Sequence, residues 1–127
     1  MEVLLVEDNP GDILLMQTVI EQLNDAKINL TSITNGMQAS LYLSKAEKTP
    51  DLIILDLNLP QKNGFELLSE LRADKRYTDT PVVIFTSSNN ASDRNTVLGL
   101  GANAYISKSI DLEEYKSHVL SFLSLVK

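Results

Sequence analysis

No cysteine occurs among the 127 residues, which excludes disulfides and thiolate chemistry and fits a reducing compartment weakly. No apolar stretch reaches the about 18 residues that a membrane-spanning helix needs. The N-terminus enters a strand-like run with no basic leader or signal-type hydrophobic segment before it. Basic residues number 11 against 17 acidic ones and are scattered, and a net charge of −6 argues against a duplex nucleic-acid surface, which takes clustered Lys and Arg. Repeats, low-complexity tracts and an appended output domain are also missing from the pattern. The expectation is a single cytoplasmic domain over 1–127, long enough to bury one core.

What is present is an alternation of short apolar runs and helical stripes, repeated five times. Val3-Leu4-Leu5-Val6 runs into Glu7-Asp8, and Leu52-Ile53-Ile54-Leu55 runs into Asp56. Val82-Val83-Ile84-Phe85, introduced by Pro81, meets Thr86, and Ala104-Tyr105-Ile106 leads to Ser107-Lys108. A weaker β-biased run covers Leu30 to Thr34. Between them, Ile13, Met16, Ile20 and Leu23 share a helical face behind Asp12 as the expected cap, and Met37 to Ala46 is expected to be helical. A turn is expected at Asn63-Gly64, followed by a stripe of Phe65, Leu68 and Leu71. A thin helix with Ala91, Val97 and Leu98 is broken by Gly99 and Gly101, and Leu112, Tyr115, Val119, Phe122 and Val126 form a closing stripe.

Continuous apolar strands alternating with helices predict an α/β fold: a three-layer (βα)5 doubly wound parallel sheet with right-handed crossovers. Of the two small-domain strand orders, the flavodoxin-like 2-1-3-4-5 fits better. It places the first and third strands side by side, with the topological switch point at their carboxyl ends.

That order brings Glu7, Asp8 and Asp56 together. A solvated loop start accounts for the acidic pair taken alone, a strand end for Thr86 taken alone and a surface position for Lys108 taken alone. Their joint placement on four strand ends points to chemistry. Three carboxylates in a partly desolvated cleft repel one another, and a hard divalent cation relieves this. An oxygen-only donor set with open positions suits Mg²⁺ or Mn²⁺, while the spacing does not follow a calcium loop. A cation of this kind suits a phosphoryl substrate. Asp56 can attack phosphorus to give an acyl phosphate, with the Lys108 ammonium and the Thr86 hydroxyl available to its oxygens.

Leu5-Val6-Glu7-Asp8, the run from Leu52 through Asp56 to Pro60, Asn63-Gly64, Phe85-Thr86-Ser87 and Tyr105-Ile106-Ser107-Lys108 occur in an order and spacing that resemble the response-regulator receiver domain of two-component signalling. The resemblance spans essentially the whole chain. It implies that Asp56 is the phosphoacceptor and that Asp8, Asp56 and the backbone carbonyl of Asn58 bind Mg²⁺, with Glu7 acting mainly through metal-bound water. It implies that Thr86 and Lys108 engage the phosphoryl group and that the small Ser87 leaves room for donor and hydrolytic water. Thr86 and Tyr105 match the pair by which the family couples phosphorylation to a conformational switch. The family further implies a sensor histidine kinase as donor and a downstream target or histidine phosphotransfer protein as recipient. No nucleic-acid or membrane partner is implied.

Asn9-Pro10-Gly11-Asp12 and the stretch from Thr86 to Ala91 are similar to small receivers that work with bacteriophytochromes and often form homodimers. The chain departs from the family after Lys108, where Ser109 replaces a proline whose bond to the lysine is commonly cis. A cis bond to serine costs roughly 2.5–4 kcal/mol against about 0.5–1 for proline, so either cis or a trans bond with a shifted loop is expected here.

Three rival functions remain at this level. A flavodoxin-like electron carrier shares the strand order, but its phosphate-binding loop would open on Glu7-Asp8, and tryptophan is absent. A magnesium phosphatase of small metabolites lacks a second acid beyond Asp56, where Asn58 stands. A receiver-like module that binds partners without phosphorylation is the third.

Overall fold

A computed structural model describes residues 1–23 and 27–126. The elements alternate as β1 (Glu2–Val6), α1 (Pro10–Gln22), β2 (Asn29–Ile33), α2 (Gly36–Lys45), β3 (Leu52–Leu55), α3 (Gly64–Ala73), a 3-10 turn (Lys75–Tyr77), β4 (Val82–Thr86), α4 (Ala91–Gly99), β5 (Ala104–Ser107) and α5 (Leu112–Leu123). The strands form one five-stranded sheet in the order β2-β1-β3-β4-β5, every neighbour parallel. This is the expected doubly wound fold. Among the described residues no helix is long and apolar enough to cross a membrane.

Unbroken apolar runs become central strands because helices cover both faces. All residues of β3 and β4 are buried. Leu4, Val6, Ile53, Leu55 and Ile84 face α2, α3 and α4 through Leu43, Leu67, Leu68 and Val97. Val3, Leu5, Ile54, Val83 and Phe85 face α1 and α5 through Met16, Val19, Tyr115 and Phe122. Burying each such side chain fully contributes about 1.5–3 kcal/mol, so the sheet centre is the most strongly stabilised part of the molecule. Register is set by the same packing: Val6 lies opposite Leu55, and the Asp56 amide donates to the Val6 carbonyl at 3.1 Å. The residues just beyond these two strands are therefore neighbours.

Several local expectations are corrected. Helix α1 begins at Pro10, not behind Asp12; Asn9 caps it, accepting from the amides of Gly11 and Asp12, and proline suits the first helical position. Asn63-Gly64 is not a free turn: Asn63 caps α3, and Gly64 is its first residue. A Cβ at Gly64 would lie 2.4 Å from the Asp56 carbonyl oxygen, so glycine is needed for α3 to start against the end of β3. Gly99 closes α4 from within, and the break comes at Gly101, whose φ of 106° favours glycine. β2 runs one residue earlier than expected, from Asn29 to Ile33. Leu98 and Leu112 are exposed and leave their stripes, while Val126 packs against the core from beyond α5.

The 3-10 turn has no counterpart in the sequence pattern. Its Arg76 donates to the carbonyls of Leu43, Ser44 and Ala46 and its Tyr77 hydroxyl to that of Leu43, which satisfies the C-terminal carbonyls of α2. No cis peptide bond occurs among the described residues, so Lys108 and Ser109 are joined in trans.

Candidate functional site

Each expected side chain stands at the carboxyl end of a strand. Glu7 and Asp8 follow β1, Asp56 follows β3, Thr86 ends β4, and Lys108 follows β5. The Lys108 amide donates to the Thr86 carbonyl at 2.7 Å, extending the β4–β5 ladder by one residue and fixing where the lysine leaves the sheet. Its Nζ then crosses the strand ends to Asp56 Oδ2 at 3.0 Å and to Glu7 Oε1, and reaches Asp12 Oδ2 at 2.8 Å.

The site is largely withdrawn from solvent. Glu7 is 3% exposed, Asp56 5% and Thr86 0%, whereas Asp8 lies open at the rim. Oxygen atoms of Glu7, Asp8 and Asp56 all lie within 4.8 Å of one another. Three convergent carboxylates, one of them solvent-facing, can hold a hard divalent cation while leaving positions for water or substrate. The donor set thus fits Mg²⁺ or Mn²⁺.

Burial and charge divide the two buried carboxyls. Burial, reinforced by the Asp56 charge, pushes Glu7 up to about 7 despite the opposing pull of Lys108 and the Asn9 amide. Burial pushes Asp56 upward too, but the Lys108 ammonium and then the Thr86 hydroxyl outweigh it and hold Asp56 below the usual carboxylate range. Burial alone would lower Lys108, and its bonds to Asp12 and Glu7 together with the Asp56 charge raise it instead. At neutral pH this leaves Asp56 ionised beside a cation, the state a carboxylate nucleophile requires.

The other expected residues fall around this centre. The Asn58 amide points to Asp56 Oδ1 at 3.4 Å, and the residue is exposed. Ser87 is exposed at the rim beyond Thr86. Tyr105 packs into the core, and its hydroxyl donates to the Ser88 carbonyl at 2.8 Å. Ser88 is an addition to the expected set: its amide points to the Thr86 hydroxyl at 3.4 Å and its carbonyl also accepts from Ser107 at 3.0 Å. One residue therefore lies between Thr86 and Tyr105. Asp12 is the second addition, a site residue where the sequence suggests only a helix cap.

The response regulator receiver domain profile matches residues 3–120. The response regulator Rre1 of Synechocystis sp. (strain ATCC 27184 / PCC 6803 / Kazusa) is 34% identical over 121 residues, covering 95% of this chain and 51% of that protein. Rcp1 of the same organism is 34% identical over 117 residues, covering 88% of this chain and 79% of Rcp1. The chain spans about half the length of most of the curated relatives it matches. The crystal structure of the phosphorylated cyanobacterial phytochrome response regulator RcpA superposes with a TM-score of 0.88 at 34% identity, covering 99% of this chain and 96% of RcpA. The Mn²⁺-bound form of Rcp1 superposes with a TM-score of 0.86 at 32% identity, covering 97% and 91%.

Proposed function

The chain belongs to the response regulator receiver domain family, and on that premise we propose that it takes a phosphoryl group onto Asp56 from the phosphohistidine of a sensor histidine kinase. The observation that carries this is the buried, ionised Asp56 carboxylate under the Lys108 ammonium at 3.0 Å. An Asp56 oxygen attacks phosphorus in line. The new P–O bond forms as the P–N bond breaks, and its electron pair leaves with the imidazole, which takes a proton from solvent.

Mg²⁺ is the proposed cofactor; Asp8, Asp56 and the Asn58 carbonyl would hold it, and Glu7 would act through water. The Mn²⁺ form of Rcp1 supports a divalent cation here. Such an ion supplies charge neutralisation at the equatorial phosphoryl oxygens. Lys108 pairs with one of these oxygens and Thr86 donates to another. The open rim at Ser87 admits the donor, and later the water that hydrolyses the acyl phosphate.

The switch runs from Thr86 through Ser88 to Tyr105. A Thr86 hydroxyl drawn to the phosphoryl group withdraws from the Ser88 amide and shifts the loop that holds the tyrosine. The likeness to RcpA, a cyanobacterial phytochrome response regulator, supports a phytochrome-type sensor as donor. With residues 1–127 acting as one receiver unit, output passes through a changed surface to a target, a second copy of the chain or a histidine phosphotransfer protein. Family membership displaces the electron-carrier alternative.

Acetyl phosphate with Mg²⁺ followed by intact mass tests this reading. A gain of one phosphoryl group that Asp56→Asn abolishes supports it. No gain favours a module that binds partners without phosphorylation.

A further inference from the structure

A lysine ammonium has three hydrogens to donate, and Lys108 meets three carboxylates: Glu7, Asp12 and Asp56. Glu7 and Asp56 belong to the oxygen cluster with Asp8. A divalent cation in that cluster would draw on the same carboxylates, Asp56 directly and Glu7 through water, and would repel the ammonium, so both of those contacts would weaken on binding. A phosphoryl group on Asp56 alters that partner further.

Asp12 is placed differently. It sits in the first turn of α1, outside that cluster, and its amide donates to Asn9 Oδ1 at 3.2 Å. The cap fixes the backbone from which its carboxylate reaches Lys108 at 2.8 Å, and a carboxylate is favoured at a helix N-terminus. On the far side of the lysine, Ser109 provides no pyrrolidine ring to restrict the chain. Restraint on the lysine head from α1 therefore matters more here than it would before a proline.

We infer that Asp12 is a positioning residue: it keeps the Lys108 ammonium over the cleft while Glu7 and Asp56 turn to the cation and the phosphoryl group. The inference rests on the reading of Asp56 as phosphoacceptor. Asp12 touches neither the phosphoryl group nor the cation, and acts through the lysine alone.

Wild type, Asp12→Asn and Asp12→Glu are compared with saturating Mg²⁺ alone, following the Lys108 ammonium by ¹⁵N NMR, and then with acetyl phosphate added. The Lys108 signal persists with Mg²⁺ in wild type and Asp12→Glu and is lost to exchange in Asp12→Asn. The phosphorylation rate constant falls about tenfold in Asp12→Asn, the size of one lost charge-assisted bond, and largely recovers in Asp12→Glu. A signal that survives Mg²⁺ in Asp12→Asn, or an unchanged rate, overturns the inference. If wild type itself takes no phosphoryl group, the proposed function fails, and the NMR comparison still decides the role of Asp12.

Discussion

The Lys108 ammonium lies 3.0 Å from the Asp56 carboxylate although the residue after the lysine is Ser109 and the bond between them is trans. The β5–β4 ladder sets the lysine's exit through its amide bond to Thr86, and carboxylates from β1, α1 and β3 gather its head. The missing proline therefore leaves the lysine inside the site.

Removing that cation exposes what it balances. In Lys108→Ala, two buried carboxyls lose their ion-pair partner, an arrangement that typically costs about 3–5 kcal/mol. Urea unfolding should show a loss of this order in metal-free buffer. Added Mg²⁺ should raise the midpoint more in the variant than in wild type, because the ion then supplies the missing positive charge.

Glu7 gives the metal-free protein a distinctive pH dependence. Its folded pKa is raised from 4.5 to about 7, so between these values the folded state holds a proton that the unfolded chain releases. Stability from this group is therefore full below about 4.5 and falls as pH rises toward 7. Asp56, shifted downward, acts in the opposite sense and below the ordinary aspartate range, where its stabilisation is lost on acidification. Denaturation midpoints at a series of pH values should decline through the Glu7 window in wild type and stay flatter there in Glu7→Gln.

Gly64 couples helix packing to the nucleophile. A methyl group there would meet the Asp56 carbonyl oxygen at 2.4 Å and the Leu57 Cα at 2.8 Å, both backbone atoms that cannot rotate away. Gly64→Ala should lose about 1–3 kcal/mol in chemical denaturation, the usual range for overpacking. It should also weaken Mg²⁺ binding measured by calorimetry, because the shift falls on the segment from Asp56 to Asn58.

Much of this arrangement is legible in the residues. Apolar runs buried on both faces declare parallel strands, and the fold gathers the side chains at their carboxyl ends. Glu7, Asp8, Asp56, Thr86 and Lys108 can therefore be placed from the chain alone. Asp12 and Ser88 are not legible, for a physical reason. Asp12 acts from a helix whose first residue depends on which of two capping side chains wins, and Asn9 does, aided by Pro10. Ser88 acts through its backbone amide and carbonyl, which sequence patterns do not mark. The 3-10 turn escapes likewise, since Arg76 and Tyr77 cap carbonyls of a helix well before them in the chain.

Two hydroxyls share the Ser88 carbonyl, those of Tyr105 and Ser107. Tyr105→Phe alone should leave the loop held by Ser107, with amide exchange at residues 88–90 raised only slightly. Adding Ser107→Ala leaves the Ser88 carbonyl without either hydroxyl, and exchange there should rise by an order of magnitude or so, in line with about 1–3 kcal/mol for a polar group left unsatisfied. Hydrogen exchange read by NMR distinguishes the two outcomes.

Asp56 as the acceptor is the central claim. Borohydride reduction of the protein after treatment with acetyl phosphate and Mg²⁺ converts an aspartyl phosphate to homoserine, and peptide mapping then locates it. The expected result is homoserine at position 56 and nowhere else, absent when Mg²⁺ is withheld; homoserine at Asp8 or another carboxylate, or none at any position, would contradict the claim.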